Sequence, residues 1–464
     1  MVKVTAVRTT GIYCRAGCPA RPHQVNTVPY RSQVAAEAAG YRACLRCRPD
    51  LEPGESVGAD APYPVRRAVD LVAHGYLDTH TESDLAAFVG YSARHLRRLF
   101  LEHVGATPDA VGRSQRAHFA RKLLDDTDLA LADIAAASGF SSARQLSRVV
   151  TEVFGFAPSR LRGGQKGARG DVDGGFPLML GMDPSSVRDV IGHLQPRCVP
   201  GVEHTEGFSY ARTFEHFGHP GVLEIDASDQ EARQVAAVVH LPSYSGLVSL
   251  VERTRRLFGF DLDLDEARSA LADDELLGEL VGSTAPLVPG CWDRFETAVR
   301  IVVGQQVSVV GGSTLAGRVA ESCGRPVAGV GVLGLQRLFP SPEQLAEADL
   351  SGLGMPSSRA QTIIDLAGGV ASGEIGLDGE PDELRSQLMA VRGVGPWTAE
   401  MVCLRVARDL DAFPSSDLVL RDAVGRLIGQ GRPSQAVVAA VAERWRPFRG
   451  VAATVLWNRS AARY

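Results

Sequence analysis

Lysine is almost missing from this chain. Of its 464 residues only Lys3, Lys122 and Lys166 are lysines, so every permanent positive charge after residue 166 is an arginine. Chemistry that needs a lysine amine is thereby excluded from everything beyond that point. Long apolar runs are missing too: no stretch reaches the ~20 residues of a membrane-spanning helix. The N-terminus, with Lys3 and Arg8 among mixed residues, has no apolar segment of the kind an export signal needs. The expectation is a cytoplasmic chain with no membrane contact. Wholesale disorder is excluded by 45% hydrophobic against 22% charged residues. The length predicts two to four domains of ~100–200 residues each.

Charge is unevenly spread. Residues 1–170 hold 23 Lys+Arg against 16 Asp+Glu, a balance of +7; the remaining residues hold 26 against 38, a balance of −12. The basic front third suits nucleic-acid binding. Cysteine is uneven as well. Cys14, Cys18, Cys44 and Cys47 crowd the first tenth, while Cys198, Cys291, Cys323 and Cys403 stand singly. Without an export signal, four clustered thiols predict a metal site rather than disulfides. Two close pairs separated by a loop can converge tetrahedrally on Zn(II). Spacing alone fits a plain structural zinc ribbon. The chemistry also allows a second role: four thiolates on one Zn(II) leave a net negative cluster, and an exposed, electron-rich sulfur in it can attack an alkyl group.

Residues 50–64, rich in Pro, Gly and acid, read as a linker, and the Gly-rich segment 163–175 as the main inter-domain linker. Between them lies an internal repeat. DLAAFVGYSARHLRRLFLEHVGATP from Asp84 resembles DIAAASGFSSARQLSRVVTEVFGFAP from Asp133. Each copy predicts a short helix, a Gly turn (Gly90, Gly139), a Ser cap (Ser92; Ser141 or Ser142) and a second helix. Leu85, Leu96 and Leu99 in one copy match Ile134, Leu146 and Val149 in the other as its small core. Arg94, Arg97 and Arg98, and likewise Arg144, Gln145 and Arg148, fall on the opposite face. That is the layout of paired helix-turn-helix units whose second helices enter the major groove, although two solvated Arg-rich helices would have the same pattern. Residues 176–225 predict strands with an intervening helix, and amphipathic helical segments are expected from about residue 229 onward.

Asp382 to Ala407 reads as helix, hairpin, helix, with Arg392-Gly393-Val394-Gly395 as the hairpin and Pro396 at the first helical position. Such a hairpin directs N–H groups and a helix N-terminus outward, where a phosphate can bind; a simple packing turn would look alike. Asp417 follows in FPSSDLVLRDAVGRL, where Ser415 or Ser416 is the expected cap and Asp417 falls in the first turn. By itself it is an ordinary helix-start carboxylate.

Two resemblances sharpen these readings. RTTGIYCRAGCPAR with GYRACLRCRPD resembles the N-terminal domain of the Ada adaptive-response regulators, and the repeat that follows is similar to the AraC-type helix-turn-helix pair. This implies that Cys14 accepts a methyl group from a DNA methylphosphotriester. Cys18, Cys44 and Cys47 are then persistent zinc ligands, and methylation turns on transcription of repair genes. None of the four scattered cysteines is followed by His, so the family's guanine-repair domain with its Pro-Cys-His-Arg motif is not expected here.

In the other half, GVGPWTA followed by Asp417 looks like the helix-hairpin-helix DNA glycosylases. PGCWDRFETAVRIVVGQQVSV, GLGMPSSRAQTIIDLA and RWRPFRGVAATVLW are similar to AlkA-type 3-methyladenine glycosylases. The resemblance implies excision of 3-methyladenine and 7-methylguanine, with Asp417 stabilising the sugar cation or aligning water and Trp397 and Trp457 as walls of the base pocket. Trp397 occupies the place of the lysine in strand-cutting relatives, so a monofunctional enzyme is implied. Gln306 falls where the family has a leucine wedge, Met401 replaces a pocket tyrosine, and no iron–sulfur cluster is expected.

The expected architecture is therefore multidomain and mainly α: a zinc α/β module (1–55), a tandem helix-turn-helix domain (63–162), an α+β subdomain (176–285) and a helix-hairpin-helix domain (286–464). The expected partners are double-stranded DNA, both methylated and promoter, and RNA polymerase, for a monomer in the bacterial nucleoid.

Overall fold

The computed structural model describes residues 4–15, 17–20, 23–49, 61–162, 175–281, 288–327 and 333–461. Most of both expected linkers lies outside these residues. By internal contacts the chain forms two units: residues 1–183 with 231–254, and residues 184–230 with 255–464.

The first unit begins with a small sheet. Strands Val4–Val7, Ile12–Arg15, Thr27–Tyr30 and the two-residue Arg42–Ala43 are ordered third, first, second, fourth. The first strand pairs antiparallel with its two neighbours, placing Thr5 opposite Cys14; the last pairs parallel, placing Tyr13 opposite Ala43. Helix Gln33–Ala38 starts at Ser32, whose hydroxyl accepts the Ala35 N–H at 3.1 Å. So short a module buries few apolar side chains, and its sheet frames the cysteines instead.

The repeat folds as expected. Helices Glu82–Phe88 and Ala93–His103 form one helix-turn-helix, and Leu131–Ala137 and Ala143–Phe154 form the other. The long helix Pro108–Asp126 joins them. Leu85, Leu96, Leu99, Ile134, Leu146 and Val149 are all buried. Gly90 and Gly139 turn the chain at φ +79° and +73°, where a glycine is favoured. Ser92 caps one second helix through the His95 N–H, and Ser142 rather than Ser141 caps the other through the Gln145 N–H. Strands Phe176–Leu180 and Val235–His240 complete this unit as an antiparallel pair. The second of them corrects the expectation of helix beyond residue 229. VAAVVH buries every other residue (Val235, Ala237, Val239), a period of two that a short apolar run conceals.

The second unit carries the helix Pro184–Leu194 and an antiparallel meander, Glu203–Glu206, Ser209–His216 and His219–Asp226. Arg212 of the meander, 2% exposed, pairs with Glu296 at 2.7 Å, and Glu203 pairs with Arg300 at 3.0 Å. These buried pairs fix the meander against helix Arg294–Val303. Two apolar clusters organise the helices. One gathers Arg294–Val303, Val309–Cys323, Ser357–Ser372, Pro381–Ala390 and Pro396–Val402 around Val302, Ile363, Leu388 and Val402. The other packs Leu418–Leu427 and Arg449–Ala461 around Val424, Trp445 and Val451.

Candidate functional sites

The four N-terminal cysteines come together. Cys14 lies near the end of the second strand, Gly17 turns the Cys14–Cys18 loop at φ +72°, and the Tyr13 carbonyl accepts the Cys44 N–H at 3.0 Å. All four sulfurs lie within 4.8 Å of one another, and all four residues are buried, Cys14 included, which corrects the expectation of an exposed sulfur in the cluster. Sulfurs each ~2.3 Å from one tetrahedral ion stand about 3.8 Å apart, so small rotations fit this set to Zn(II). The donor chemistry agrees. Burial, then the Cys18 and Cys44 thiols, push Cys14 far above a free thiol, and burial pushes Cys47 up to about 11. Cys44 goes the other way: burial opposes its ionisation, but the N–H groups of Cys47 and Arg46 overcome it. Such a cluster cannot hold four thiolates without a cation between them.

The residue before the acceptor candidate is tied to the helix-turn-helix domain, a link that nothing in the sequence signalled. The Tyr13 hydroxyl donates to Glu37 Oε1 at 2.7 Å, and His118 Nε2 of the long helix lies 2.6 Å from the same oxygen. Burial works against the Glu37 carboxylate, but His118, Ser114 and Tyr13 together hold it below the usual carboxylate range.

On the second helices, Arg94, Arg97, Arg98, Arg144 and Arg148 are exposed. Several are held by acids: Arg97 by Glu82 at 2.5 Å, Arg98 by Glu102 at 3.8 Å and Arg148 by Glu152 at 3.4 Å. Gln145 is half-buried, and its Oε1 accepts the Ser141 N–H at 2.9 Å, so this side chain helps to start its own helix.

In the second unit the hairpin lies between Pro381–Ala390 and Pro396–Val402, with Pro396 at the start of its helix as expected. Gly393 sits at φ +90°, and a Cβ there would fall 2.1 Å from the Thr362 hydroxyl; Gly395 faces open space. Asp417 corrects one expectation. Neither Ser415 nor Ser416 caps the next helix; Asp417 does so itself, its Oδ1 accepting the Leu420 N–H at 3.0 Å. Both tryptophans converge on it. Trp397 Nε1 donates to Oδ2 and Trp457 Nε1 to Oδ1, each at 3.1 Å. Both indoles are half-buried, as is Met401, one turn beyond Trp397. Glu400, which sequence reasoning missed, accepts the Phe413 N–H at 2.9 Å and so ties the segment leading to Asp417 to the hairpin's second helix. Gln306 is exposed at φ +55°, a conformation few side chains adopt.

These geometries place the chain among proteins that join a cysteine metal module and paired helix-turn-helix units to a helix-hairpin-helix core. Comparison with known proteins agrees segment by segment. The metal-binding domain of Ada matches residues 2–50, a helix-turn-helix domain residues 85–164, and the AlkA N-terminal domain residues 182–293. A Mycobacterium tuberculosis protein named probable bifunctional transcriptional activator/DNA repair enzyme AlkA is 38% identical over 98% of this chain and 92% of its own length. The chain belongs to this family of bifunctional Ada–AlkA proteins. DNA-3-methyladenine glycosylase 2 of Escherichia coli is 30% identical over 58% of this chain and 92% of its own length. A 3-methyladenine DNA glycosylase from Archaeoglobus fulgidus shares the fold, with a TM-score of 0.51 over 62% of this chain and 98% of its own, at 22% identity. Among the described residues no helix is long and apolar enough to cross a membrane.

Proposed function

We propose that the protein repairs alkylated DNA by two separate chemistries and regulates transcription of repair genes. The observation that carries the first chemistry is a single carboxylate held by two indole N–H groups and a helix N-terminus. Asp417 stays where a developing sugar cation can use its charge. A methylated purine is already a good leaving group, so no strong acid is required. The chain's part is to flip the nucleotide, stack the cationic base on Trp397 and Trp457, and stabilise the oxocarbenium-like sugar while water adds. With no lysine beyond residue 166, base release proceeds without a Schiff base, and the DNA strand stays intact. The proposed substrates are 3-methyladenine and 7-methylguanine.

The second chemistry belongs to Cys14, with Cys18, Cys44 and Cys47 as the other ligands. Bound Zn(II) would keep the four sulfurs deprotonated. The Cys14 sulfur attacks the methyl carbon of a phosphotriester: a C–S bond forms, the C–O bond breaks, and the oxygen leaves with the electron pair as an ordinary phosphodiester. Transfer removes one negative charge from the cluster, so repulsion of DNA phosphates falls and the paired helix-turn-helix units bind promoter DNA more tightly. In this reading Arg94, Arg97, Arg98, Arg144, Gln145 and Arg148 face DNA. RNA polymerase is the partner at the promoter, and the chain acts as a monomer.

Heat-free release of 3-methyladenine from alkylated DNA tests the first chemistry, and intact-mass analysis after incubation with methylated DNA tests the second. Asp417→Asn, which keeps a cap at the helix start, should abolish base release and leave Cys14 able to gain one CH2 unit. Cys14→Ala should do the reverse. Loss of both activities in either variant breaks the two-site reading, and no release by the wild-type protein leaves a regulator whose glycosylase-like half only holds DNA.

A further inference from the structure

Gln305 precedes the left-handed residue Gln306 and uses its side chain unlike any neighbour. Its amide nitrogen donates twice, to the Gly393 carbonyl at 3.1 Å and to the buried Thr398 hydroxyl at 2.8 Å. Both acceptors belong to the hairpin segment, 88 and 93 residues away. The Gln305 carbonyl is held in turn by Arg359, at the start of helix Ser357–Ser372. Three residues on, Ser308 caps helix Val309–Cys323 through the Gly311 N–H. The turn 304–308 is thus fixed on both sides; it exposes Gln306 and Val307, and the first residues of the next helix add the exposed Val309 and Val310. An apolar patch of this kind at a rigid turn is suited to entering a base stack.

We infer that Gln305 is a positioning residue that latches the base-displacing turn to the phosphate-binding hairpin, so that gripping the backbone and filling the gap left by the flipped nucleotide occur as one event. The inference rests on the glycosylase reading above. The Gly393 carbonyl can only accept, so the latch needs a donor at this position; the Thr398 hydroxyl can accept or donate. A freed turn still leaves the carboxylate and its two indoles intact. Its loss therefore slows base release only where the base must first be pulled from a paired stack.

The test compares Gln305→Leu and Gln305→Glu with the wild-type full chain in single-turnover release of 7-methylguanine. One substrate is a fully paired duplex; the other holds the same lesion in an unpaired bubble. Leucine keeps the bulk and loses the donor, and glutamate sets a carboxylate against the Gly393 carbonyl, keeping at most the bond that the Thr398 hydroxyl can donate. Both variants should lose roughly tenfold to a hundredfold on the duplex, as expected for one or two hydrogen bonds, while staying within about twofold of wild type on the bubble. Equal losses on both substrates would mean a merely structural role, and an unchanged duplex rate would mean no latch; either overturns the proposal. Wild-type protein inactive on both substrates instead removes the glycosylase reading, and the latch falls with it.

Discussion

The indole N–H of Trp457 ends on Asp417 Oδ1 at 3.1 Å, the same oxygen that accepts the Leu420 N–H at 3.0 Å. Trp457 lies on the C-terminal helix and Trp397 on the hairpin's second helix, so the acid is fixed from two elements that share no sequence neighbourhood. The tryptophans thus have two separable properties, an aromatic face and a donor. Trp457→Phe keeps the face and deletes the donor. A hydrogen bond to a charged group contributes ~1.5–3 kcal/mol, so kcat for base release should fall roughly tenfold to a hundredfold with KM little changed. Steady-state kinetics on alkylated DNA checks this. A rise in KM at constant kcat would show that Trp457 serves the base and not the acid.

The two hairpin glycines make opposite predictions. A methyl group at Gly393 meets the Thr362 hydroxyl at 2.1 Å and must also accept φ +90°. Gly393→Ala should therefore destabilise the second unit by at least ~1–2 kcal/mol from the backbone alone, lowering its melting temperature by several degrees. At Gly395 an added Cβ meets nothing within 4 Å and φ is −105°, so Gly395→Ala should fold normally. It should nevertheless weaken DNA binding if a phosphate approaches this backbone closely. Calorimetry and a binding titration at one fixed salt concentration separate the two effects.

How legible these features were follows from how local their causes are. The four cysteines, the repeated Gly turn and Ser cap, and the hairpin with its Pro are written in neighbouring residues, and each was found where its spacing put it. The Val235–His240 strand is not legible in the sequence because six mostly apolar residues satisfy helix and strand patterns alike, and only pairing with Phe176–Leu180 decides between them. The Asp417 cap is hidden for a similar reason: Ser415, Ser416 and Asp417 are all good caps, and the choice depends on where the chain leaves Phe413, which Glu400 fixes from another helix. That both indoles would donate to Asp417, and that Gln305 would reach the hairpin, depends on side-chain directions across long sequence separations, to which no periodicity refers.

The junction at Glu37 carries a pH prediction. Its carboxyl is held below the ordinary value of 4.5, so the folded state binds the proton less readily than the unfolded chain. The stabilisation is complete above pH 4.5 and is lost as pH falls through the lower native value. Thermal melts of residues 1–162 within the full chain should stay level on this account from neutrality to about pH 5 and fall below it. At neutral pH Glu37→Ala removes the acceptor that His118 and Tyr13 share and should cost about 1–3 kcal/mol, the penalty for buried polar groups that lose a hydrogen bond. An unchanged melt for that variant would mean that the two modules do not depend on this contact.

Metal removal should divide the molecule along its length. The chain has four tryptophans, at 292, 397, 445 and 457, so intrinsic emission reports the glycosylase half and is silent on the cysteine module. In a module whose buried centre is four thiols, the ion takes the place of an apolar core and supplies on the order of 10 kcal/mol of folding free energy. Stripping it with a chelator under mildly acidic conditions should abolish amide-exchange protection across residues 4–49 and end methyl acceptance. Because protons and the ion compete for the same sulfurs, the metal should leave more readily as pH falls. Tryptophan emission and release of 3-methyladenine should be unchanged. Readdition of one equivalent of Zn(II) under reducing conditions should restore protection and methyl acceptance together, since the same four sulfurs carry both.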